Sequence, residues 1–294
     1  MTHKLTFVAA LALVAAACGA ADDDVGDRTS TTQATTTTTI GATTTTLPDV
    51  FTGDPGRLVL QITDEGGFAP IELIVNRLPR FGVYADGTLL APAPVPAIYP
   101  GPIVMPLQSV SLSDGDLASL MGAIEAIGLS SIDREIDDRL RSRVADATTV
   151  IATYFDVDGA EHVYGAYALG LADDEPVPDS TTKLGELIKL VDGFLANPGG
   201  AGFEVDRIQV WINENPVVDT DFTQTLAWPL DIVPGDFEPE GDFQLGCHVL
   251  AGDAAQQAIA AFNAADQATV WDFDGTEYQL IARVLLPHEP GCIP

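Results

Sequence analysis

Two cysteines and two histidines sit near one another in the last fifty residues. Cys247 stands beside His248, and His288 precedes Cys292 with three residues between them. Thiolates and imidazoles are ordinary zinc ligands, and two of each make a standard tetrahedral set. Zinc sites usually draw their ligand pairs from residues a few positions apart, and adjacent side chains such as Cys247 and His248 do not readily converge on one ion. In an oxidising compartment the same two thiols would instead form a disulfide. Carboxylates are abundant, but no spacing marks two of them as a catalytic acid and base. Asp156-x-Asp158-Gly159 and Asp272-x-Asp274-Gly275 open like calcium loops. Both lack the third ligand position and the closing Glu, and strand-type residues flank each, so a hairpin turn fits better. The sequence has no Gly-rich phosphate loop before a helix, no Gly-x-Ser-x-Gly elbow and no His-Glu-x-x-His. No catalytic, cofactor-binding or metal-ligating residue is therefore assigned.

The third cysteine has a different setting. Lys4 precedes an apolar run, Leu5–Ala17, that is too short to span a bilayer, and small residues lead into Cys18 and Gly19. That pattern is an export signal. It resembles the lipobox of bacterial lipoproteins, although Ala15 stands where that family usually has Leu. The resemblance implies that residues 1–17 are removed and that Cys18 is acylated to become the new N-terminus. An ordinary secretory peptide cut after Ala15-Ala16-Ala17 is the alternative. Lipidation accounts for the odd cysteine and leaves Cys247 and Cys292 as an even pair. In an exported chain their disulfide is the expectation, and closing a loop of about 45 residues would contribute about 4 kcal/mol.

The composition limits the partners. Forty-three acidic residues face thirteen basic ones, for a net charge of −30. Such a surface repels phosphate backbones and excludes nucleic acid as a partner. It repels anionic head groups as well, so the membrane would be held through the N-terminal lipid alone. Hydrophobic residues make up 46% of the chain, enough for a sizeable core.

The elements that must position these residues follow a tether. Residues 18–50 open with Asp22-Asp23-Asp24 and are dominated by threonine from Thr29 to Thr46. A segment without apolar periodicity cannot bury enough surface to offset its ordering entropy, so a disordered stalk is expected. About 30 residues of coil would reach roughly 30 Å on average and about 90 Å extended. Thr-rich stalks of exported proteins are often O-glycosylated, which stiffens them. The head is expected from Phe51, and to fold without the first fifty residues.

Alternation over Leu58–Ile62 gives a strand, and a second apolar run follows at Ile71–Val75. Asp-Gly at 86–87, 158–159 and 274–275 predicts three hairpins. Ser113 with Asp116 predicts a capping box, followed by Leu117, Leu120, Met121, Ile124 and Ile127 on one helical face and a stop at Gly128. A second helix is expected from Thr181 or Thr182, with Leu184, Leu187, Ile188, Val191, Phe194 and Leu195 on its face. A third begins at Asp253 and buries Ile259 and Phe262. The fold class is α+β, with largely antiparallel sheets and about three packed helices. Strand, helix and hairpin occur in that order twice, as shared punctuation rather than as homologous copies. The Pro198–Gly202 break divides the head into residues 51–198 and 203–294, unless residues 51–294 form one domain.

Three surfaces keep a functional reading beside a structural one. The Pro-rich stretch Ala91–Pro106 is either a stiff connection or a recognition surface with Tyr99 as its anchor. Arg134, Arg139, Arg141 and Arg143 are either a self-paired face or an anion site. Trp211, Trp228 and Trp271 are core residues or a sugar-stacking platform. The signal, the Thr-rich stalk and the lysine-poor, Ala- and Asp-rich head together resemble uncharacterised lipoproteins of actinobacteria. That resemblance implies an extracytoplasmic protein on the cell membrane and carries no catalytic residues. The expected role is a non-enzymatic binding or structural head on a stalk, with an envelope component or another protein as partner. The alternative is an envelope-acting hydrolase using unassigned carboxylates.

Overall fold

The computed structural model describes residues 49–51, 54–171, 176–196, 201–213, 221–240 and 245–292. The signal, Cys18 and the threonine-rich segment lie outside them, as does the centre of the Pro198–Gly202 break. The described residues all fall within a single compact unit.

Among the described residues the architecture is α+β, with two largely antiparallel sheets and four helices. The first sheet is built from β1 (Leu58–Gly66), β2 (Phe81–Tyr84), β3 (Thr88–Pro92), β4 (Leu107–Ser111), β5 (Arg134–Asp137), β6 (Thr148–Phe155), β7 (Glu161–Tyr167) and β8 (Ala201–Gly202). Its order is β5-β7-β6-β1-β2-β3-β4-β8, and β5 with β7 is its parallel pair. The second sheet has the order β10-β13-β14-β9-β12-β11. It comprises β9 (Arg207–Asn213), β10 (Thr225–Ala227), β11 (Glu238–Glu240), β12 (Leu245–Ala251), β13 (Val270–Phe273) and β14 (Thr276–Val284). Here β10 and β13 run parallel. The chain passes from one sheet to the other between Gly202 and Arg207, close to the break read from the sequence.

All three Asp-Gly turns join paired strands. Gly87 and Gly159 take positive φ, and at the third turn Asp274 and Gly275 both do, as a primed turn requires. The two hairpins that follow a helix dock differently. β6–β7 joins its sheet through its first strand, against β1, and β13–β14 joins through its second, against β9. The resemblance between the two halves is therefore one of local punctuation.

Helix α1 (Ile71–Val75) is a single short turn of helix where the sequence continued an apolar run. Helix α2 (Asp114–Ile127) begins at the Ser113–Asp116 capping box and ends on Gly128 in the left-handed region. Helix α3 (Asp179–Leu195) starts two residues ahead of Thr181, after Pro178, and buries the Thr181 side chain in its first turn. Helix α4 (Gly252–Asn263) buries Ala255, Ala258 and Phe262, with Ile259 half-buried.

Two cores result. Helices α2 and α3 pack on each other and on one face of the first sheet through Leu120, Ile124, Leu184 and Leu187. A register shift between Leu58 and Leu60 lets consecutive Val59 and Leu60 both join this core. Leu58 goes to the other side, with Tyr84 and Leu90, where Ile208, Val210, Leu280, Ala282 and α4 meet them in one cluster. The two sheets therefore share a hydrophobic layer. The outer face of the second sheet carries Trp211, Cys247 and Ile281 beneath Ile71 and Val75 of α1. Val50 is only 2% exposed and joins the helix-side core with Phe51. The packed head thus begins ahead of Phe51, because the last residue of the stretch read as tether has an apolar side chain with a place in the core.

Candidate functional site

The cysteine and histidine residues separate into two structural devices. Cys247 and Cys292 are bonded, with an S–S distance of 2.01 Å and a Cα–Cα distance of 5.9 Å. Alternation along β12 sends His248 away from Cys247, and its Nδ1 lies 3.0 Å from the carbonyl of Asp236. His288 meets the first sheet instead. Its Nδ1 is 3.0 Å from the Tyr84 hydroxyl and its Nε2 is 3.3 Å from the Gln61 amide nitrogen. With Gln61 donating to Nε2, the ring proton sits on Nδ1 and Tyr84 accepts it. Burial pushes the imidazole below its ordinary value; Glu289 pulls it up and Arg283 pushes it down. Burial also raises the Tyr84 hydroxyl, and Glu289 and Asp86 act in the same direction. A protonated phenol and an imidazole with both nitrogens engaged form a clamp rather than an acid–base pair.

That clamp helps to hold the C-terminal strap, residues 285–292. Arg207 donates to the carbonyls of Glu289 at 2.9 Å and Pro290 at 2.6 Å. Arg283 pairs with the Glu289 carboxylate, which also accepts from the Leu286 amide at 2.8 Å. The disulfide closes the strap onto β12.

Of the carboxylates singled out by the sequence, Asp156 and Asp272 are engaged by the backbone of their own loops. Asp156 accepts from the amides of Asp158 at 2.9 Å and Ala160 at 2.8 Å, and Asp272 accepts from Gly275 at 2.7 Å. Both loops are hairpin turns. The Ala160 amide lowers the Asp156 carboxyl, desolvation opposes it, and His162 and the Asp158 amide add to the lowering. Asp137 accepts from Thr181 at 2.6 Å and Arg139 at 3.1 Å, and Thr181 Oγ1 also lies 2.7 Å from the Tyr164 hydroxyl. Burial alone would raise Asp137, but these bonds together hold it below its ordinary range. Arg141 lies 4.6 Å over the Tyr167 ring, so Arg139 and Arg141 of the basic cluster are engaged by the protein itself. Among the described residues no three His, Cys, Asp or Glu side chains group to hold a metal ion. Trp271 and Trp211 are buried, and Trp228 stacks on Phe273 with Trp271 edge-on 5.4 Å away. All three tryptophans are packing residues.

The two roomiest of the depressions described among these residues flank the Pro-rich connection. Its base is closed by the Ala93 amide donating to the Pro106 carbonyl at 2.8 Å, and its far side is pinned to Gln267. The Gln267 amide donates to the Gly101 carbonyl at 2.9 Å, and Gly101 N–H donates to Gln267 Oε1 at 3.3 Å. Gln267 is itself placed by the turn after α4, where Asp266 Oδ1 accepts from Ala268 N–H and the Thr269 hydroxyl. Ile103 and Val104 anchor the connection in the inter-sheet layer. Held at both ends, it leaves Ile98 68% exposed and Tyr99 62% exposed, with Phe222 edge-on to the Tyr99 ring at 5.6 Å.

A depression lies on each side. One, of about 660 Å³, runs between the connection, the extended segment 201–206 and α4, with Pro96, Ile98, Phe203, Val205 and Ile259 as apolar walls. The other, of about 430 Å³, lies between Tyr99, Ile103, Leu73 of α1 and Leu280. Both volumes fall in the range of roughly 300–1,000 Å³ occupied by ligand clefts. Tyr99 was visible in the sequence as a candidate anchor. Phe203, Ile259 and Phe222 were not, because nothing local joins residues so far apart in the chain. The chain matches no family model, no curated protein and no solved structure.

Proposed function

We propose that this protein is a lipid-anchored, extracytoplasmic binding head. Cys18 carries the lipid, the threonine-rich segment is the spacer, and the face around the Pro-rich connection receives a partner from the envelope. The export pattern at Leu5–Cys18 supports the location. No helix among the described residues is long and apolar enough to cross a membrane.

The observation that carries the binding reading is the pinned connection itself. Large apolar side chains are held exposed beside a groove by a scaffold that rigidly fixes both ends, an arrangement that lowers the ordering cost of association.

Photo-crosslinking in the anchored protein on cells tests this. A benzoylphenylalanine at position 98 should give a discrete adduct with an envelope component, and the same group at Ser119, exposed on α2, should not. Equal labelling from both positions, or none from position 98, would remove the binding reading. Cys18→Ala should free the protein from the membrane or leave it unprocessed, and an unlipidated wild-type Cys18 by mass spectrometry would remove the anchor.

A further inference from the structure

We infer that the groove between the Pro-rich connection and α4 takes an extended, positively charged apolar peptide segment of a partner protein. The inference rests on the binding reading above and specifies the partner's chemistry.

The groove's walls are apolar, and the charged side chains that line it are Glu204 and Asp266; no Lys, Arg or His is among its lining residues. Glu204 is exposed at the rim. Asp266 Oδ1 is occupied by the turn after α4, which fixes the orientation of that carboxylate. A carboxylate-bearing or phosphorylated ligand would be repelled here, and the net charge of −30 would add long-range repulsion. A cationic ligand is drawn by both, and its apolar part has Ile98, Phe203 and Ile259 to bury against.

The backbone of one wall favours an extended chain. Strand β8 is the last strand of the first sheet, pairing with β4 on one side, and the chain continues without helix from Phe203 to Asp206 before β9. Gly202 to Val205 of this stretch line the groove. The Phe203 amide already donates to Leu107 and the Val205 carbonyl accepts from the Gln256 side chain, so a peptide laid along this stretch can pair with the exposed Ala201–Gly202 edge alone, sending alternate side chains into the groove and out toward Glu204. Alternating apolar and basic residues match both faces.

The test uses full-length protein carrying Cys18→Ala, so that no lipid is present, and three labelled, end-capped hexapeptides read by fluorescence anisotropy at about 0.15 M salt. They alternate leucine with lysine, leucine with glutamate, and serine with lysine. The leucine–lysine peptide should bind and the other two should not. Glu204→Lys should weaken it about fivefold, the range of one exposed charge pair, whereas Glu161→Lys on β7, the same charge change away from the groove, should leave it unaltered. Ile98→Ser should also weaken it.

Equal loss from Glu204→Lys and Glu161→Lys would mean diffuse attraction to an acidic protein and overturn the inference. Equal binding of serine–lysine, or no binding at all, would overturn it too. If leucine–glutamate binds as well as leucine–lysine and Ile98→Ser weakens both, the charge preference is wrong while the binding face stands. The adduct from position 98 judges that face independently.

Discussion

The strap ahead of Cys292 is tied down at three places: Arg207 on the Glu289 and Pro290 carbonyls, Arg283 on the Glu289 carboxylate, and His288 between Tyr84 and Gln61. The disulfide spans a sequence separation of 45 residues. Its constraint on the unfolded chain amounts to about 4 kcal/mol, and for a head of this size that is roughly 8–16 °C of melting temperature. Cys247→Ser with Cys292→Ser should show a loss of that size in calorimetry. An unchanged melting temperature, or two free thiols in peptide mapping of the native protein, would contradict the bond. His288 sets a separate pH dependence. Its folded pKa is below the ordinary 6.5, so the unfolded chain binds the proton more readily. Its contribution is complete above pH 6.5, declines as the pH falls below that value, and levels off once the folded imidazole is charged. Denaturant midpoints measured between about pH 7.5 and 5 should fall more for the wild type than for His288→Gln. Parallel profiles would show that His288 is not held neutral by the clamp.

At the scale of elements, what the sequence revealed was local. Helix α2 was legible because Ser113, Asp116 and Gly128 are chemical signals within one segment, and the hairpins because Asp-Gly sits there between strand-type runs; Asp114-Gly115 and Asp192-Gly193, without such flanks, lie inside α2 and α3. Ser113→Ala removes the hydroxyl that accepts from Asp116 N–H at 3.3 Å. It should cost about 1 kcal/mol, or roughly 2–4 °C. No change in a thermal melt would mean that packing alone fixes the start of α2. Apolar content left Ile71–Val75 as a run of unassigned type, where five residues form a short helix over the second sheet, since a run that short does not distinguish strand from helix. Strand pairing was not legible. β1 finds β6 about ninety residues on, and the groove draws on segments near residues 100, 203 and 259. Of its walls, only the Pro-rich connection was marked in advance as a candidate surface, because proline is conspicuous by type; Ile259 was legible only as a face of its helix.

For the whole molecule, the shared inter-sheet layer and the burial of Val50 define the folded head. A chain beginning at Asp49 should melt with the mature protein. One beginning at Gly53 loses Val50 and Phe51 from the helix-side core, a loss of at least about 4 kcal/mol, and should melt roughly 8–16 °C lower. Equal melting of the two would place the boundary back at the tether. The charge of −30 belongs to this scale also, since it steers association for the entire surface while the groove selects among what arrives.

The claim that joins these scales is that the face around the Pro-rich connection is where the head meets its partner. Hydrogen exchange of the full chain, followed with and without envelope extract, measures this directly. Slowed exchange should be confined to residues 93–106, 201–206 and α4, with α2 and α3 unaffected. Protection on α2 and α3 instead, or none along the connection and α4, would contradict it.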